Sequence, residues 1–190
     1  MLKDTDTVSK ALSIFKEASP NGKKIDPNIK GAVYATVAFN APSRELMDKL
    51  LALYNSNGAP EDKMQALDAV GELGDRSLAA RALGLVLSGK VRLQDSIDVL
   101  SGVAGNRTAY GLYISWAMAN WKRLKKTYVP STHMFRYCAN LFSVARDRKL
   151  RKVIASFFGA KQNLRDDIKL EAKKVLERVD ANIRFMEANE

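Results

Sequence analysis

Apolar residues recur every three or four positions along nearly the whole chain, and no segment alternates with period two for long enough to require a strand. Each apolar run is short and closes on glycine, proline or asparagine before the next begins. Val8, Leu12 and Phe15 mark a first helix over about Thr5 to Glu17, ended by Pro20-Asn21-Gly22. Asp26-Pro27 supplies an N-cap and a proline at the first helical position for a helix running through Val33 and Val37 to Phe39. After Ala41-Pro42-Ser43, Leu46, Leu50 and Tyr54 face inward up to the turn at Asn55 to Gly58. Pro60, Glu61 and Asp62 have the character of a first helical turn leading to Met64, Leu67 and Val70, closed by Gly71 and Gly74. Asp75 then caps a helix carrying Leu78, Ala79, Leu83 and Val86, which stops near Gly89.

The rhythm continues through Leu93, Ile97 and Leu100 to Gly105-Asn106, then through a longer helix to Tyr128 that ends before Pro130. Ser131 caps a helix with Met134, Cys138 and Leu141, and another carries Leu150, Val153, Ile154, Phe157 and Phe158 up to Gly159. The last runs from about Leu164 to the end, with Ile168, Ala172, Val175, Val179, Ile183 and Met186 spaced by three or four. Some ten helices joined by short loops predict an all-α fold, an array of antiparallel helical hairpins forming a HEAT- or armadillo-like α-solenoid or bowl. No strict repeat fixes its period, so the solenoid reading rests on the rhythm of helix and turn. At 190 residues the chain is read as a single helical domain, 1–190.

No run approaches the roughly 18 apolar residues of a membrane span, so no membrane partner is expected. One cysteine, Cys138, allows no intramolecular disulfide and is compatible with a reduced, cytoplasmic setting. It reads as a small core residue, and His133, the single histidine, as an exposed residue in a first helical turn. The two are five residues apart with no third soft ligand nearby, so no zinc site and no metal cofactor is expected within the chain. Glu61-Asp62 and Asp166-Asp167 are adjacent on helices and point in different directions, which fits helix-start charge better than paired acid/base chemistry. Phosphate-loop and nucleophile-elbow motifs are absent, and no catalytic residue is assigned.

Charge is unevenly placed. Residues 1–105 hold 13 basic and 13 acidic side chains, and residues 106–190 hold 18 and 8, so the whole net charge of +10 belongs to the second half. A one-sided charge of that size points to an anionic partner: nucleic acid, a membrane surface, or an acidic or C-terminal carboxylate of a peptide. Lys122, Arg123, Lys125 and Lys126 fall at a helix C-terminus, where the dipole favours them. Arg146, Arg148, Lys149, Arg151 and Lys152 fall at a helix start, where it does not, so they are the stronger functional candidates. Trp121, Tyr128, Phe135, Tyr137 and Phe142 interleave with these clusters and could stack on bases, although their helical spacing reads first as core.

Val91-Arg92-x-Gln94-Asp95, followed about 25 residues on by Asn120-Trp121, resembles the C-terminal helical domain of zinc aminopeptidases of the aminopeptidase N and puromycin-sensitive type. Asp26-Pro27 with Gly31 to Tyr34, the run Leu67 to Asp75, Phe157-Phe158 and Asn182-Ile183 are similar to segments of that family, in the same order. The resemblance covers about Lys24 to Asn189 and implies an all-helical bowl that closes over a zinc-bearing domain and walls a peptide chamber. It implies that the zinc, its His-Glu-x-x-His motif and a Gly-x-Met-Glu-Asn motif belong to an upstream catalytic domain of the same polypeptide. On that reading Arg92, beside Asp95, and Arg146, Arg148, Lys149, Arg151 and Lys152 are the candidate contacts to a peptide substrate. The alternative is a freestanding helical scaffold that binds nucleic acid or an acidic protein through its basic half.

Overall fold

The computed structural model describes residues 4–18, 24–128, 131–163 and 166–189, with the side chains at 161, 166 and 167 excepted. The expected turn at Pro20 to Gly22, the stop at Pro130 and the start at Leu164 lie outside the described residues. Those that are described form helices and turns, with no strand among them. The helices are α1 (Thr5–Glu17), α2 (Pro27–Asn40), α3 (Arg44–Tyr54), α4 (Pro60–Gly71), α5 (Arg76–Val86) and α6 (Ser96–Gly105). There follow α7 (Tyr110–Ala119), α8 (Trp121–Thr127), α9 (Thr132–Asn140), α10 (Arg148–Gly159) and α11 (Asp166–Glu187).

Caps set most of the starts. Asp26 accepts from the Asn28 N–H at 2.9 Å ahead of Pro27, and Ser43 accepts from the Leu46 N–H at 3.0 Å. Asp75 takes the N–H groups of Ser77 and Leu78 at 2.8 and 2.9 Å, and Asp147 takes that of Leu150 at 2.8 Å. Each satisfies donors that the first helical turn leaves unpaired.

Consecutive helices pair as hairpins, α1 on α2, α3 on α4 and α5 on α6. Their second members lie side by side, α2 on α4 and α4 on α6, so these helices make one layer; α6 passes this layer on to α9, and α9 to α11. Two glycines set the α4–α6 crossing: a Cβ on Gly102 would lie 2.8 Å from the Cα of Gly71. The helices therefore approach backbone to backbone. In the α4–α5 loop, Gly74 donates its N–H to the Ala38 carbonyl at 3.1 Å, and a Cβ there would stand 2.0 Å from the Phe39 carbonyl oxygen.

Several details depart from the sequence expectation. The long helix to Tyr128 is broken at Asn120, whose side chain and backbone N–H both bond the Trp116 carbonyl at 2.9 Å. The side-chain amide thus shares that carbonyl with the backbone N–H, and beyond it Trp121 turns into the core, 3% exposed. α9 gives way to a 3-10 turn at Leu141–Val144. Leu93 precedes α6 and is exposed, and Val153 and Met186, part of the apolar spacing of their helices, are exposed as well. Their neighbours Ile154 and Ile183 carry the burial instead.

Candidate functional site

A cavity of about 470 Å³ opens on the layer of second helices. α4 contributes Asp68, and its C-cap Glu72 lies four residues on; α6 contributes Asp98, Ser101, Gly102 and Gly105 from one face. Phe39 at the end of α2 borders it on one side, and Arg107 and Arg146 bring positive charge to its rim. The close crossing at Gly71 and Gly102 brings the α4 and α6 carboxylates onto a common wall.

This wall is electrostatically unusual for so basic a chain. None of Asp68, Glu72 and Asp98 forms an ion pair with a cation of the chain among the described residues, and the Oε2 atom of Glu72 is fully buried with no hydrogen-bond partner. Desolvation raises the pKa of Asp68, and the charge of Asp98 adds to the rise. Burial likewise raises Glu72, with Asp68 contributing, and Asp98, with Asp95 contributing. Arg107 and Arg146 are exposed and unpaired among the described residues.

The six basic residues singled out from the sequence do not share one site. Arg146 reaches the cavity. Arg148 forms a two-pronged pair with Glu187 at 2.8 and 2.9 Å, and Arg151 a similar one with Asp180 at 2.9 and 3.0 Å. These pairs fasten α10 to α11, which gives a structural reason for basic residues at a helix start. They also raise both guanidinium pKa values and hold the Asp180 carboxyl below its ordinary value. Lys149 and Lys152 are exposed. Arg92 bonds Asp95 at 2.7 Å, and buried Asp95 also accepts from the Tyr54 hydroxyl at 2.7 Å, tying the turn before α6 to α3.

The interleaved aromatics are core. Trp121, Tyr128, Phe135 and Phe142 are buried, and Tyr137 is half-buried with its hydroxyl accepting from Ser101 at 3.1 Å. Trp121 stands at the centre of a cluster with Phe135, Phe142, Phe157 and Phe158, and its indole N–H donates to the Asn163 carbonyl at 2.9 Å. Asn182 clamps the same region, donating to the carbonyls of Ser143 and Ala145 at 2.8 and 3.1 Å. Base stacking on the buried rings would require opening the core, which removes the stacking part of the sequence argument for a nucleic-acid surface.

Among the described residues no group of three or more His, Cys, Asp or Glu side chains is arranged to hold a metal. His133 is exposed, whereas Cys138 is buried with its thiol pKa pushed up to about 12 by burial. Among the same residues no helix is long and apolar enough to cross a membrane.

Sequence reasoning missed Asp68, Glu72, Asp98 and Arg107. The available signal was the four-residue spacing of Asp68 and Glu72 inside a stretch read only as a turn motif, together with the small-residue stripe Ser101, Gly102 and Gly105 below Asp98.

A family model described as the ERAP1-like C-terminal domain matches residues 1–181. Among curated relatives, Aminopeptidase M1-C of Oryza sativa subsp. japonica is 26% identical over 88% of this chain and 19% of its own length. Aminopeptidase M1 of Arabidopsis thaliana is 24% identical over 96% of this chain and 21% of its own. Aminopeptidase N of Lactobacillus delbrueckii subsp. lactis is 24% identical over 94% and 22%. The chain thus spans about a fifth of the length of these relatives.

Proposed function

This chain belongs to the ERAP1-like C-terminal domain family and is a C-terminal domain of M1 aminopeptidases, and from that premise we propose that residues 1–190 form one non-catalytic helical domain that walls the substrate chamber and contacts the peptide. In this reading the zinc and the residues that activate water on it belong to a catalytic domain upstream in the same polypeptide. Removal of N-terminal residues is the work of that domain. The observation that carries the reading is the 470 Å³ cavity on the layer of second helices, with Arg146 and Arg107 at its rim and unpaired among the described residues.

Two guanidinium groups at the mouth of a cavity suit a carboxylate of a bound peptide, its C-terminus or an acidic side chain. Lys149 and Lys152 lie close by in sequence and add long-range attraction, screened beyond about 8 Å at physiological salt. Arg92, Arg148 and Arg151 are assigned to the architecture through Asp95, Glu187 and Asp180. The test compares a short peptide bearing a free C-terminal carboxylate with the same peptide amidated, by fluorescence anisotropy on the 190-residue chain. The acid should bind about tenfold more tightly, and the combined Arg107→Ala and Arg146→Ala substitutions should abolish the difference. Equal binding of acid and amide, or failure of both to bind, rejects the reading.

A further inference from the structure

Asn57 is set apart from the other asparagines of the chain. Of the ten among the described residues, nine have their side-chain amide in a hydrogen bond, as Asn106 donates to the Leu73 carbonyl and Asn182 to those of Ser143 and Ala145. Asn57 is exposed, and its side chain has no hydrogen-bond partner among the described residues. It is also the one of these ten that precedes a glycine. Asn57 and Gly58 lie in the turn between Tyr54, which ends α3, and Pro60, which starts α4, so neither belongs to a helical ladder. The Gly58 N–H donates to the Ser56 hydroxyl oxygen at 3.1 Å, an exposed bond that water can replace.

We propose that Asn57 is a site of spontaneous deamidation, in which the Gly58 amide nitrogen attacks the side-chain Cγ of Asn57. The new N–Cγ bond closes a five-membered imide. The Cγ–Nδ2 bond breaks, and ammonia leaves with the proton that the Gly58 nitrogen gives up. Water then opens the ring at either carbonyl, giving aspartate, or isoaspartate with the backbone rerouted through the β-carbon. One water enters, one ammonia departs, and no atom changes oxidation state. The turn meets each requirement of this chemistry. The attacking nitrogen belongs to a residue without a side chain to crowd its approach, the amide it displaces is held by no partner among the described residues, and water reaches both residues. The fold also tolerates the product. No side-chain hydrogen bond among the described residues is lost, and the new carboxylate stands three positions before Pro60, where Ala59 gives α4 no side-chain cap and the helix dipole favours negative charge. Nothing in the reaction depends on a bound peptide.

The experiment incubates the folded 190-residue chain and a synthetic peptide of residues 53–61 in the same mildly alkaline buffer at body temperature. Proteolytic fragments are then followed over time by liquid chromatography and mass spectrometry. Deamidation makes a fragment heavier by about one mass unit and yields aspartyl and isoaspartyl forms that elute apart. Mapping by fragment keeps Asn57 separate from Asn21, whose Asn-Gly pair lies outside the described residues. In the folded chain Asn57 is expected to react at least about tenfold faster than Asn55, whose amide is bonded to the Leu51 carbonyl, and within about tenfold of the free peptide. Gly58→Ala should slow the reaction about tenfold in both chain and peptide. The variant should fold, because Gly58 does not have a positive φ and the added methyl meets only the Ser56 hydroxyl. Asn57 that reacts no faster than Asn55 in the folded chain overturns the proposal, since the turn would then hold the pair away from ring closure. An undiminished rate in Gly58→Ala, or aspartate formed without isoaspartate, overturns it as well, because the amide would then be hydrolysed without the imide.

Discussion

Glu72 is held in the folded state at a pKa above its ordinary value, by burial first and Asp68 second. The folded chain therefore keeps a proton over a pH range in which the unfolded chain has released it. Stability from this group is fullest below the unfolded value of about 4.3 and falls as pH rises through the folded value. Glu72→Gln should raise the melting temperature at pH 7 by about 2–4 °C and leave it unchanged at pH 3, as read by thermal circular dichroism. A lower melting temperature at pH 7 would mean that the carboxylate has a stabilising partner after all. Glycines give a second contrast at this scale. Gly74→Ala forces a methyl group against the Phe39 carbonyl and should cost about 1–3 kcal/mol in urea unfolding. Gly84→Ala, inside α5 with nothing within 4 Å of the new methyl, should stabilise by about 0.5–1 kcal/mol. The sequence separates a helix-closing glycine from a mid-helix one, but only the tertiary fold shows that a methyl at Gly74 meets the end of α2 and one at Gly84 meets nothing within 4 Å.

At the scale of elements, caps and apolar spacing made most helices readable in advance, because Asp26, Ser43, Asp75 and Ser131 act within one turn of themselves. The break between α7 and α8 was not readable, because the pattern of apolar residues runs straight through Asn120 and the decision falls to a side-chain amide and to the pocket that receives Trp121. Trp121 joins α8, α9 and α10 through four phenylalanine rings and the Asn163 carbonyl. Trp121→Ala should cost about 3–5 kcal/mol, and Trp121→Phe appreciably less, in equilibrium denaturation followed by far-ultraviolet circular dichroism. The basic start of α10 shows the same limit of sequence reading. Arg148 and Arg151 lie two and five residues beyond Arg146 in sequence, yet their partners sit 39 and 29 residues away on α11, and only the tertiary fold sorts the paired from the unpaired.

For the molecule as a whole, a layered array concentrates burial in its middle. α1 packs on α2 and has Ala11 as its one buried residue, whereas α4 and α6 are each covered by several neighbours. Hydrogen exchange should therefore show the weakest protection in α1 and the strongest in α4 and α6, and uniform protection would contradict that gradient. The charge asymmetry read from the sequence is partly spent at this scale on joining elements, as Arg136 to Glu171, Arg148 to Glu187 and Arg151 to Asp180, and what remains is distributed over the surface. The cavity was invisible beforehand because its walls come from helices up to about a hundred residues apart in sequence, from Phe39 to Arg146. One further property follows from the single thiol. Cys138 lies in the interior beneath the Tyr113 hydroxyl, which donates to its carbonyl at 2.7 Å, and burial keeps the sulfur protonated. An alkylating reagent can reach it only when the array parts around α9, so the rate of its modification records, in one covalent mark per molecule, how often the interior is opened to water.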